Sequence, residues 1–186
     1  MAKQPTRIEP WLVLPVPLGN AIQIGGLVGG ALLARQAARR APHGAWGLYA
    51  GRLLSYFCEH AFAHYLVGRL AGIRFTSYGV HGSTGADAYP PGLRSIFARL
   101  PFLSARVDPA SRRAAAPAAQ AAMYLAGPLA TLVSSAVYPL YGLRRGVPGA
   151  RALLVGSGLW MAAMLAGEAI HPRSDLRRAW HALRGD

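Results

Sequence analysis

"FCEHAFAHYLVGRLAGIRF", residues 57 to 75, places His60 and His64 four residues apart in a run that is otherwise largely apolar. On an α-helix, residues four apart differ by only about 40° in direction, so the two imidazoles share one face, one turn apart. That spacing lets two histidines grip one metal ion. A histidine pair alone is a weak signal, because two polar side chains bonded to neighbouring helices give the same pattern. The setting adds weight to it. Ionisable residues inside a membrane span are costly and tend to mark sites, and Arg52, Glu59, His60, His64 and Arg69 all fall within 46–71.

The rest of the chain reads as membrane. Of 186 residues, 53% are hydrophobic and 15% charged, too few charges for the surface of a soluble domain of this size. Crossing the hydrocarbon core takes about 20 mostly apolar residues, and four stretches approach that length: 11–34, 46–71, 118–141 and 150–170. The expected fold is a single all-α integral membrane domain over 1–186, with about four transmembrane helices and a loop at 72–117. In the first stretch Pro10, Pro15 and Pro17 suit an extended lead-in, so its helix is expected from near Gly19. "GIRFTSYGV", residues 72–80, is rich in β-branched and aromatic residues. The breaker-rich "HGSTGADAYPPG" follows, so a short membrane-associated strand or hairpin region is expected after the second helix. "LRSIFARLPFL", residues 93–103, is short, basic and apolar, compatible with a helix on the headgroup surface.

The formal net charge is +13, and every basic residue except Lys3 is arginine. These arginines lie between apolar blocks and lack the interleaved aromatics of a single-strand nucleic-acid groove. Membrane lipids are therefore an expected partner and nucleic acid is not; Arg112 and Arg113 are expected to be lipid anchors. Outside the spans, twelve basic residues fall at the N-terminus, in 72–117 and after 170, against five in 35–45 and 142–149. The positive-inside rule then puts both termini and the middle loop in the cytoplasm. Cys58 is the single cysteine, which excludes an intrachain disulfide and a cysteine-rich metal cluster.

Two histidines one turn apart cannot approach a haem iron from opposite faces, whereas a tetrahedral zinc accepts both directly. Zinc needs a third ligand. His43, His81, His171, His181, Asp87, Asp108, Glu168 and Asp175 are the candidates. Histidine and carboxylate donors also suit other first-row metals.

Three segments, in order, resemble the site-2 protease family of intramembrane zinc metalloproteases. That family carries a His-Glu-x-x-His motif on a membrane helix, and here His60 and His64 are followed by "YLVGRLAGIRF" with Gly72 in register. "YLAGPLATLVSS", residues 124–135, is similar to its Gly-Pro-Leu-x-Asn segment, and "HPRSDLRRAW", residues 171–180, to the region supplying an aspartate ligand. The resemblance spans about residues 57–180. It implies a Zn2+ cofactor held by His60, His64 and Asp175, and cleavage of peptide bonds within or near transmembrane segments of membrane proteins. The expected location is a bacterial or archaeal cytoplasmic membrane. Thr131 stands where the family has asparagine, and Leu176 where glycine commonly follows the aspartate.

The largest departure is Ala61, which occupies the position of the motif's glutamate. In the family's chemistry that carboxylate is the catalytic base: it takes a proton from the attacking water and passes it to the leaving amine. Alanine can do neither. Glu59 points about 100° from His60, on the side away from His64, so a role in packing or in pairing with Arg52 or a loop arginine is expected of it. Ala61 fits two histories: a glutamate replaced to trap an active enzyme, which the retained ligands favour, or a natural pseudoprotease that binds transmembrane segments without cutting them.

A membrane helix must unwind before its peptide bonds can be attacked. An exposed edge strand over 73–80 is expected to hold it by backbone pairing, with Ile73 and Phe75 as substrate contacts. Gly127, Pro128 and Thr131 are expected to face substrate from the third span. Gly127 and Pro128 either loosen that helix near the metal or permit tight helix packing.

Overall fold

Pro15 and Pro17 divide the N-terminal apolar run into two elements in the computed structural model, which describes residues 9–40, 44–83, 91–172 and 174–185. Strand β1 (Leu12–Leu14) precedes helix α1 (Val16–Arg39), which carries Pro17 in its first turn, where a missing N–H breaks no helical bond. This tolerance lets the helix begin ahead of Gly19. The expected spans 46–71, 118–141 and 150–170 correspond to α2 (Ala45–Leu70), α5 (Pro117–Arg144) and α6 (Ala150–Ile170). Three short helices, α3 (Pro91–Phe97), α4 (Pro109–Ala114) and α7 (Asp175–Arg184), lie in the connecting and C-terminal segments.

Among the described residues, three helices, α1, α5 and α6, are long and apolar enough to cross a membrane. Helix α2 has 26 residues but does not join that set, since Arg52, Glu59, His60, His64 and Arg69 dilute its apolar content. It packs along both α1 and α5. Small residues bring α1 and α2 together: a β-carbon on Gly30 would lie 2.4 Å from the Ser55 hydroxyl and 2.7 Å from the Gly51 carbonyl. Helix α6 rests mainly on α5 and buries only Ala150 and Met161. Large apolar side chains cover the outer faces, among them Ile22, Val28 and Leu32 of α1, Val133 and Val137 of α5, and Val155 and Leu159 of α6.

The helices share the chain with a three-stranded antiparallel sheet, so the all-α expectation holds only for the long elements. Its order is β1, β2 (Phe75–His81), β3 (Phe102–Val107), with Val80 facing Leu12 on one side and Leu103 on the other. The expected edge strand at 73–80 is thus corrected over its second half: β1 covers Tyr78 to Val80, whereas Phe75 and Ser77 pair with β3 alone. Burial explains the arrangement. Leu14 of β1 and Tyr78 of β2 close over Ala61 of α2, forming an apolar cluster that includes the N-terminal lead-in. The expected surface helix at 93–103 is shorter than its pattern, ending at Phe97, while Phe102 and Leu103 join β3. Phe97 stacks on Trp160 at 5.5 Å, and Phe102 lies 5.2 Å from Phe57, fastening this segment to α6 and α2.

Candidate metal centre

Helix α2 places His60 and His64 side by side, their ring centroids 4.8 Å apart. The first residue of α7, Asp175, reaches the same point, with its Oδ2 at 3.2 Å from His60 Nε2 and 3.1 Å from His64 Nε2. The three side chains offer ligand atoms within 4.8 Å of one another. Two elements separated by more than a hundred residues therefore converge on the group expected from sequence.

The outer nitrogens of both rings are committed. His64 Nδ1 lies 2.6 Å from the Met123 carbonyl, which can only accept, so Nδ1 carries the proton. Thr131 donates its hydroxyl to the Gly127 carbonyl at 3.2 Å, leaving its oxygen to accept from His60 Nδ1 at 3.3 Å. In the neutral rings these tautomers leave both Nε2 lone pairs facing a carboxylate oxygen, so the contact requires either a proton on each ring or a cation among the three groups. A cation is what such a triad of electron-pair donors accommodates, and hydrogen-bonded outer nitrogens are the usual support of metal-bound histidines. Two imidazoles and one carboxylate suit a catalytic-type zinc with a fourth position open, although not zinc alone. The His60 side chain keeps 35% of its surface exposed, which supplies that opening.

Without a metal, the imidazoles act on Asp175 directly. Burial alone would raise its carboxyl, but hydrogen bonds from His60 and His64 outweigh burial and hold it well below the usual carboxylate range. The start of α7 fixes the backbone beneath it. Ser174 accepts from the Arg177 amide as N-cap, and Glu168 Oε2 at the end of α6 accepts from the amides of Asp175 (2.9 Å) and Leu176 (3.3 Å).

Glu168, a candidate ligand by sequence, is therefore a helix cap. Asp108 likewise caps α4 through the amides of Ala110 and Ser111. His81 is bonded to the Gly82 carbonyl at 2.6 Å and the Ser104 hydroxyl at 2.7 Å. His171 and His181 stand outside the metal-ligand group found among the described residues. His43 and Asp87 lie outside the described residues.

Gly127 sits against the two ring nitrogens that face Asp175, where a β-carbon would come within 2.3 Å of His64 Nε2 and 2.7 Å of His60 Nε2. Pro128, buried in the same turn, withholds the N–H that the Tyr124 carbonyl would otherwise receive. Close helix approach at Gly127 and a loosened ladder at Pro128 thus occur together. Thr131 is buried and contacts His60, so its visible role is to orient a ring. Ile73 is fully buried at the turn from α2 to β2, and Phe75 packs on Gly68 and Tyr65.

Ala61 is 3% exposed and lies under Leu14 and Tyr78. Glu59 faces the other way and pairs with Arg52 at 3.3 Å, as its helical direction implies, while Arg52 also donates to Ser135 at 2.7 Å. Arg112 donates to the Tyr124 hydroxyl at 3.0 Å, an intramolecular tie where a lipid anchor was expected. The sequence reading missed the Met123 carbonyl and the two caps at α7. The Ser-Asp pair opening a helix was the available signal for Ser174, whereas a backbone carbonyl leaves none.

No family model, curated protein or solved structure matches this chain.

Proposed function

We propose that this chain is an intramembrane zinc metalloprotease of the site-2 type, in a form made catalytically inactive by alanine in place of glutamate at position 61. The observation that carries the reading is the convergence of His60, His64 and Asp175, with both outer imidazole nitrogens committed and a glycine pressed against the inner ones. Bound zinc would polarise a peptide carbonyl and acidify water. Around it, Thr131 and the Met123 carbonyl hold the rings, the caps of α7 hold Asp175, and the exposed side of His60 admits substrate.

The apolar outer faces of α1, α5 and α6 support a membrane location. In this reading α2 is a fourth span, with its polar residues turned toward α5 and α7, and both termini face the cytoplasm. The proposed substrate is a single-pass membrane protein unwound near the site.

Ala61 has no group to accept a proton, and losing positioned acid-base catalysis costs about 10²- to 10⁴-fold in rate, so hydrolysis by this form is expected to be lost. Ala61→Glu in the full chain, assayed for cleavage of single-pass membrane proteins alongside metal analysis, tests the proposal. Restored cleavage supports a protease; purified protein that binds no zinc overturns the metal reading.

One observation favours a second reading, a natural pseudoprotease that scaffolds transmembrane segments. Alanine at 61 fills a closed apolar cluster with Leu14 and Tyr78, a setting that suits a methyl group better than a carboxylate. Ala61→Glu that folds and binds zinc but cuts nothing selects this alternative.

A further inference from the structure

Helix α7 has a second face that the metal centre does not use. Asp175 and Ala179 turn inward, Ala179 being 3% exposed. Leu176, Trp180 and Leu183, at spacings of four and three, form an adjoining stripe, and Trp180 and Leu183 are 52% and 56% exposed. Arg177 and Arg184 border it, exposed; Arg177 Nε donates to the Ala169 carbonyl at 3.2 Å, tying α7 to the end of α6, and the Arg184 guanidinium lies 4.5 Å from the centre of the Trp180 ring.

A strongly amphipathic, arginine-rich helix of this kind is built to lie in a membrane interface, with tryptophan at headgroup depth. Its position agrees. Asp175 follows the end of α6 at Ile170 by five residues, so α7 is tied to one end of an apolar helix whose own exposed residues include Leu159, Leu165 and Ile170. The apolar stripe is thus connected through a short link to the surface proposed to face lipid. The arginine border is complementary to phosphate-bearing anionic headgroups.

We propose that α7 docks on the bilayer surface, with Leu176, Trp180 and Leu183 in the interface and Arg177 and Arg184 on anionic lipid headgroups. This rests on the membrane reading above but not on the presence of zinc. Because Asp175 opens the same helix, lipid contact and the position of the third ligand become parts of one rigid element.

The full chain is reconstituted into nanodiscs containing brominated phosphatidylglycerol or, at equal mole fraction, brominated phosphatidylcholine. The Trp180 signal is isolated by subtracting the Trp180→Phe fluorescence. Quenching is expected in both, about twofold stronger with phosphatidylglycerol, and Arg177→Glu/Arg184→Glu is expected to remove the difference while far-ultraviolet circular dichroism stays unchanged. Absent quenching, equal quenching by the two lipids, or crosslinking from position 180 to a second copy of the chain would overturn the proposal. Failure to bind zinc would leave this readout unchanged, which keeps the two proposals separable.

Discussion

Gly127 on α5 lies against His64 on α2 so closely that the missing β-carbon would sit 2.3 Å from His64 Nε2. The atom it would strike is the nitrogen aimed at Asp175. Gly127→Ala must therefore push α5 away or rotate the imidazole, and overpacking of this kind costs about 1–3 kcal/mol. The expected result is a lower melting temperature in detergent together with weaker zinc binding by calorimetry. Unchanged zinc affinity would show that the close approach serves packing alone.

Thr131 offers a milder perturbation of the same centre. Thr131→Val keeps the shape but removes the oxygen that accepts from His60 Nδ1, freeing the ring to turn or change tautomer. Losing an outer hydrogen bond to a metal-binding histidine typically lowers metal affinity about 10- to 100-fold. Competitive titration with a chelating dye should show that loss, and Thr131→Ser, which keeps the hydroxyl, should recover most of it.

How much of this centre was legible in the sequence follows from what sequence pattern can encode. The four-residue spacing put His60 and His64 on one helical face, and the same geometry turned Glu59 away from them. Asp175 was one of eight candidate third ligands by residue type and was singled out only through resemblance, since periodicity says nothing about a group more than a hundred residues distant. The position of β2 was misread because a strand's own residues do not reveal how many neighbours it has. Three residues of a proline-bounded lead-in, Leu12–Leu14, cover that edge from Tyr78 to Val80. The outer partner of His64 was invisible because it is the Met123 carbonyl, a group every residue carries.

Arg52 and Glu59 form a buried pair two helical turns apart on α2, with side chains only 8% and 6% exposed. Arg52→Met leaves Glu59 as an uncompensated buried charge, and breaking such a pair costs about 3–5 kcal/mol. Replacing both, as Arg52→Met/Glu59→Gln, removes both charges, so the double variant is expected to be markedly more stable than Arg52→Met alone. Thermal unfolding of the singles and the double as a cycle checks this; additive losses would mean the two residues do not support each other.

Asp175 gives the metal-free protein a defined acid limb. Its carboxyl is held below the ordinary value of 3.8, because hydrogen bonds from His60 and His64 outweigh burial. For a depressed carboxylate, the stabilisation is present above the unfolded value and is lost as pH falls through the lower folded value. Metal-stripped protein should therefore lose stability as pH drops below 3.8, and Asp175→Asn should lack that part of the slope. A pH profile identical in the two proteins would mean that the imidazoles do not hold the carboxylate.

Ala61→Glu tests where the missing base would stand. On an ideal helix residue 61 lies about 60° beyond His64, and in the folded chain that direction is toward Leu14 and Tyr78. A carboxylate left among these apolar groups without a partner is expected to destabilise the protein by about 1–3 kcal/mol. If instead it turns back to the metal centre, it meets a cation and water, and zinc should recover much of the lost stability. The measurement is the melting temperature of Ala61→Glu with and without zinc, against Ala61→Gln, which has nearly the same size and no charge. Under the protease proposal zinc rescues the glutamate variant more than the glutamine variant, and cleavage accompanies the rescue. Equal shifts in the two would place the carboxylate against the sheet, where alanine belongs to the fold and the protein is a binder of transmembrane segments.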